Sequence, residues 1–286
     1  MSVDKLQNRI RKLKNPSMVA FLPDEALIPP AYRETAPNHA DAFCRYAKDL
    51  LCGLKDIVPA VRFDFGAFAV QGAEGLEVLK TLVKSAREQK FYVLLDVPAA
   101  YSLATAALHA RILTEQWEFD GLLLNCYLGG DTVKPFVDML KDKEADLFLA
   151  LRTANKSASE IQDLLTGTRL VYTAAADMAK RLGADLEGRC GYSRIGGVGP
   201  AVSGDSLQLL RSKYPALFLL IDGYDYSGAN AKNCAVAFDK LGHGAIACAG
   251  DSILAAWQEE PGDPVALAVE AAERMKKNLT RYVAIL

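Results

Sequence analysis

FYVLLDVPAAYSLAT (91–105) sets the pattern for the rest of the chain. The run FYVLLDV is apolar and strand-forming and ends on a carboxylate, Asp96. The chain then turns through Pro98 into an alanine-rich segment with helix propensity. Continuous apolar runs of this length, bounded by turns, fit strands buried on both faces. The same kind of run recurs at MVAFLP (18–23), AVRFDFG (60–66), GLLLN (121–125) and DLFLALR (146–152). It returns at CGYSRIGGVG (190–199), ALFLLIDG (216–223) and GAIACAG (244–250). Between these runs, segments such as GLEVLKTLVKSAREQ, VKPFVDMLKDK and DSLQLLRSKY space apolar residues three and four apart, as helices do. Eight strand–helix units without a break in composition predict an α/β fold, a (β/α)8 barrel in one domain over 1–286. A helix within 1–17 would open it and one over 263–280 would close it. A doubly wound sheet is the alternative, but eight units on one sheet would be large for this length.

Composition narrows the function classes. The chain has 286 residues, 51% hydrophobic and 24% charged, with a formal net charge of −2. That balance gives no reason to expect nucleic acid or an anionic membrane as partner. Cys44, Cys52, Cys126, Cys190, Cys234 and Cys248 show no CxxC pairing, and most lie in apolar runs. They read as reduced core residues, and none sits beside an obvious base that would make a nucleophile. MVAFLP is too short for a signal-peptide core, and no run approaches the roughly 20 residues that span a bilayer. A cytoplasmic protein is the expectation.

In a barrel of this kind, sites form where the strands end, at the carboxyl-side mouth. The polar residues expected there are Arg62, Asp64, Asp96, Asn125, Arg152, Arg194, Asp222 and Asp251. Arg62 and Asp64 share strand parity, so both can point inward, and Asp96 is expected to pair with Arg62. His39 and His109 fall in helical, mixed-polarity segments, and His243 sits in the turn before the last strand, on the opposite face. None is a candidate base. Tyr224 and Tyr226, in the loop after strand seven, could cover a planar ligand at the mouth.

Several blocks carry a family likeness. NPSMVAFLPDEALIP, AFAVQGAEGLEVLKTLV, LNCYLGGDTVKPFVDML, FLALRTANKSASEIQDL, LFLLIDGYDYSGANAKNCAVAF and GAIACAGDSILAAW follow one another in order and spacing. Together they resemble the longer, type 2 branch of the orotidine 5'-phosphate decarboxylase family, over almost the whole chain. The resemblance implies a barrel, a cofactor-independent carbon–carbon lyase, a nucleotide or phosphosugar ligand and a homodimer joined across the mouth. Taken with the strand ends, it points to ligand contacts at Asp64, Thr105, Asn125, Arg152, Gly223, Tyr224, Gly228, Ala229, Gly250 and Asp251, and to catalytic positions at Asp96 and Arg62. No metal is implied.

The departures matter more. The family's third strand carries D-x-K-R-x-D-I-x-x-T, and this chain has LLDVPAAYSLAT there. Asp96 and Thr105 match, but the lysine is Pro98 and the second aspartate is Tyr101. Expelling carbon dioxide from the pyrimidine leaves a carbanion, which an ammonium must stabilise and then protonate. Proline offers no donor, and Arg62, at the second-strand lysine, does not release its proton. Leu22 stands where an aspartate would hold the ribose. Asp251 stands where an arginine would hold the phosphate, and a carboxylate there repels it by roughly 1–4 kcal/mol at 4 Å. The expectation is therefore a homologue that has lost or changed its decarboxylase activity. An active decarboxylase with a rebuilt site is the alternative, and a barrel binding a cation or small ligand through its acidic rim is a second. At the dimer interface, Tyr101 and Thr105 would approach the partner's pocket.

Overall fold

The computed structural model describes residues 2–97 and 102–286. Eight parallel strands close on themselves: β1 (Ser17–Phe21), β2 (Ala60–Asp64), β3 (Tyr92–Asp96), β4 (Gly121–Asn125), β5 (Asp146–Ala150), β6 (Ser193–Pro200), β7 (Leu217–Asp222) and β8 (Ala245–Ala249). Each pairs with its neighbours in chain order, and β1 completes the ring against β8 through Ser17–Ala247 and Val19–Ala249. All eight predicted runs are strands, and closure excludes the doubly wound alternative.

Both faces of the ring are apolar, which is why the runs do not alternate with polar residues. Met18, Leu94, Leu123, Phe148, Phe218 and Ile246 fill the barrel interior. The intervening positions, such as Val19, Val61, Val93, Leu147 and Leu219, pack beneath the helical layer. Gly121 lacks a side chain where one would collide with the Tyr92 hydroxyl.

The amino-terminal helix (Ser2–Leu13) plugs the floor. Val3, Leu6 and Ile10 are buried in the same cluster as the barrel interior. Val3 N–H donates to Asp146 Oδ1 at 3.0 Å, and the Tyr92 hydroxyl donates to Asp146 Oδ2 at 2.7 Å. Lys5 reaches Asp120 at 2.7 Å. With the floor sealed, the open end is the carboxyl-side mouth. The chain's last helix, Pro264–Thr280, is N-capped by Asp263 and packs outside the barrel against the helix His39–Leu54.

Arg194 is not at the mouth. It is the second residue of β6, level with the start of β5, and its guanidinium lies 4.0 Å from Asp146 near the floor. There it donates to the carbonyls of Leu140, Lys143 and Ala145. Helices end with carbonyls that lack partners, and a buried cation satisfies them; Arg194 does so for the helix Gly130–Asp142. β6 also carries an irregularity between Ser193 and Gly197, and Gly196 lets the Phe148 ring approach its backbone.

Candidate active site

Arg62 organises the mouth. Inward parity on β2 carries its side chain up the barrel axis, and the pairing of Asp64 with Asp96 brings β3's terminal carboxylate alongside. One guanidinium nitrogen donates to Asp222 Oδ1 at 2.8 Å and another forms a short ion pair with Asp96 Oδ2. The arginine side chain is 16% exposed and the Asp96 side chain 20%. Burial alone would lower the arginine's pKa, but the Asp222 and Asp96 carboxylates outweigh it and raise it. Burial, opposed by Arg62 and aided by Asp64 and Asp222, leaves the Asp96 carboxyl above its ordinary value. The cation is thus spent on two carboxylates and is held protonated.

Over this cluster lies a cavity of about 400 Å³. Its walls include Leu22, Arg62, Asp64, Asp222, Tyr226 and Asp251. Three of these six are carboxylates and one is Arg62, which pairs with Asp222 alone among them, and no lysine lines the cavity among the described residues. Asp64 also caps the short helix Phe65–Ala69, its Oδ1 accepting Ala67 N–H at 2.8 Å. Asp251 is pushed up first by burial and then by its acidic neighbours Asp225 and Asp24. Asp225 reaches across from the loop after β7 and accepts Gly250 N–H at 2.6 Å and the Ser252 hydroxyl.

Gly223 sits in the left-handed region, φ 76°, and a side chain there would meet Ala154 at 2.5 Å and the Tyr226 ring at 3.2 Å. That conformation turns the loop so that Tyr226 faces the cavity. Tyr224 faces the other way. It lines an outer groove with Asn230, Asn278 and Arg281, and burial raises its pKa. Ala229 lines that same groove, and Gly228, at φ 91°, lies in the exposed part of the loop. Gly223 and Gly250 line the mouth cavity; Tyr224 and Ala229 do not.

Three further expected contacts, Arg152, Asn125 and Thr105, are engaged in structural bonds. Arg152 makes a two-pronged pair with Asp163, at 3.1 and 2.8 Å, and holds the loop after β5 closed. That loop contains a small antiparallel hairpin, Leu165–Thr166 with Arg169–Leu170, which the sequence reading did not anticipate. Asn125 is exposed and accepts Tyr127 N–H at 2.9 Å. Thr105 pairs with Ser102, the N-cap of the helix Leu103–Gln116, at 2.9 Å between hydroxyls. Pro98 and Tyr101 lie outside the described residues. His243 is on the floor side, bonded to the Leu286 carbonyl at 2.9 Å. All six cysteines are free; Cys126, Cys234 and Cys248 are buried, whereas Cys52 is exposed. No group of three or more His, Cys, Asp or Glu side chains among the described residues is arranged to hold a metal ion.

The cavity residues that sequence reasoning did not single out are Asp225 and Ser252, whereas Tyr226, expected at the mouth, lines it. Nothing in GYDYSG shows that its aspartate bonds a turn 25 residues away.

No protein-family model matches the chain. It is 29% identical over 265 residues to the orotidine 5'-phosphate decarboxylase of Clostridium kluyveri, covering 91% of this chain and 89% of that relative. Its fold is similar to that of Plasmodium berghei orotidine 5'-monophosphate decarboxylase, with a TM-score of 0.79 at 15% identity, covering 98% and 99% of the two chains. Leishmania donovani OMP decarboxylase is similar at a TM-score of 0.74 and 23% identity, covering 98% and 99%. A sequence relationship spanning nine-tenths of both chains, on a barrel of the same architecture, makes this protein a homologue of the orotidine 5'-phosphate decarboxylases.

Proposed function

We propose that this barrel is a divergent homologue that does not decarboxylate orotidine 5'-phosphate and instead binds a small molecule at an acidic mouth. The observation that supports this reading is the confinement of Arg62 between Asp96 and Asp222. Carbanion chemistry at this mouth needs a cation free to meet developing charge and able to give up a proton. Arg62 is neutralised already and its pKa is raised, so it does neither. At the position of the family's lysine the sequence has Pro98, which carries no donor. Binding is altered in the same direction. Leu22 offers an apolar wall where a sugar would need a hydrogen-bond partner, and Asp251 and Asp225 present negative charge. Such a lining favours a neutral or cationic ligand over a phosphate ester.

A homodimer is part of this proposal. Val70, Leu103, Leu108 and Leu128 are exposed and follow β2, β3 and β4, on one sector of the barrel. Apolar side chains grouped in this way mark an association surface.

The purified protein is expected to show no turnover of orotidine 5'-phosphate, measured by absorbance loss, and no rescue of a pyrimidine auxotroph. Losing one preorganised electrostatic group typically costs about 10²–10³ in rate, and several are altered here. Robust turnover by the unaltered chain would overturn the proposal.

A further inference from the structure

Asp225 is an exposed residue in a loop whose other anchors are mostly local. Tyr226 N–H bonds Gly223 O at 3.1 Å and Ala229 N–H bonds Tyr226 O at 2.9 Å, while Tyr224 N–H reaches Cys248 O at 3.2 Å. Residues 225–228 are all exposed, so little apolar burial ties this stretch down. Among the described residues, its side-chain tie to the turn after β8 is the Asp225 carboxylate, which takes both Gly250 N–H and the Ser252 hydroxyl. Both of those donors belong to residues lining the mouth cavity, as do Asp225 and Tyr226. An N–H and an O–H converging on one anion form a charge-assisted pair, and any other anion entering there needs the same donors.

We propose that Asp225 determines the specificity of the mouth: it serves as an internal anion that fills this donor pair, latches the loop over 223–230 and bars anionic ligands from that end of the cavity. This deepens the reading of the mouth as a ligand site and rests on it. A ligand anion must displace Asp225 and also approach Asp251, whereas a neutral or cationic ligand can enter with the latch closed.

The test is calorimetric titration of inorganic phosphate into the wild-type chain and into Asp225→Ala, Asp225→Asn and Asp225→Ala/Ser252→Ala, with circular dichroism to check folding. Phosphate should bind Asp225→Ala on the order of tenfold more tightly than wild type, because one like charge has gone and two donors are released, and Asp225→Asn more tightly by a smaller factor, because its amide oxygen still accepts from one of them. Removing the Ser252 hydroxyl should return most of that gain. Unchanged affinity in the folded single variants overturns the proposal, as does a gain that survives loss of Ser252. Failure of both single variants to fold also overturns it, since an exposed latch is not needed to build the barrel. Turnover assays separate the two readings: a wild type that decarboxylates overturns the proposed function, whereas a flat phosphate comparison overturns the latch alone.

Discussion

At the residue scale, the molecule turns on how it treats buried charge. Arg62 shows the compensated case, one cation between two carboxylates, where removing any partner would leave a charge stranded in a poorly solvated site. Asp146 shows the other case. It accepts from Val3 N–H and the Tyr92 hydroxyl on the floor, yet burial dominates and pushes its carboxyl up to about 7 from 3.8. A carboxyl raised in the folded state is protonated there while the unfolded chain has already ionised. Its contribution is fully present below the unfolded value and is lost as pH rises through the folded one. Wild-type stability should therefore fall between about pH 4 and pH 7 through this group, and Asp146→Asn should flatten that slope. Urea unfolding at a series of pH values checks this; an unchanged slope in the variant would show that Asp146 is not the group responsible. Asp177 and Asp239, whose carboxyls lie below their ordinary range, act in the opposite sense at more acidic pH, so the two effects separate along the pH axis.

At the scale of elements, the amino-terminal helix is the one whose role was least visible beforehand. SVDKLQNRIRKLKN reads as a charged amphipathic helix, and its apolar face could have met any surface. The structure spends that face on the barrel floor, where Leu6 and Ile10 are fully buried. Leu6→Ala should cost about 2–4 kcal/mol, in the range for truncating a buried leucine. The shift in the urea midpoint measures it, and a loss below about 1 kcal/mol would mean that the floor collapses readily to fill the gap. β6 carries the opposite lesson. Its run was legible, but Arg194 was assigned to the mouth when it belongs to the floor. CGYSRIGGVG has no feature that marks where in the run the strand begins, and the irregularity after Ser193 shifts the register.

At the scale of the whole molecule, Val70, Leu103, Leu108 and Leu128 are among the large apolar side chains that a lone barrel leaves exposed. If two copies meet there, light scattering at micromolar concentration should give twice the 31.0 kDa chain mass. Leu103→Glu with Leu108→Glu should shift the equilibrium to monomer, because each places a charge in an apolar contact. A monomeric mass for the unaltered chain would remove the dimer from the proposal.

The sequence by itself determined the barrel. Eight apolar runs, bounded by turns and separated by helical spacing, admit few arrangements in which every run is covered on both faces. It also determined that Arg62, Asp96, Asp222 and Asp251 would gather near one end, because strand ends in this fold share a rim. Only tertiary structure decided which neighbours they answer to. Parity could place Arg62 inward, but not show that Asp222 would claim half of its guanidinium. Tyr224 and Tyr226 have equal standing in the sequence, and the left-handed turn at Gly223 separates them, one to the cavity and one to the outer groove. Asp225 and Gly250 are distant along the chain and meet only because β7 and β8 are adjacent in the ring. Periodicity is a local property that survives in one dimension. Partnership between loops depends on closure of the ring, which no single segment encodes.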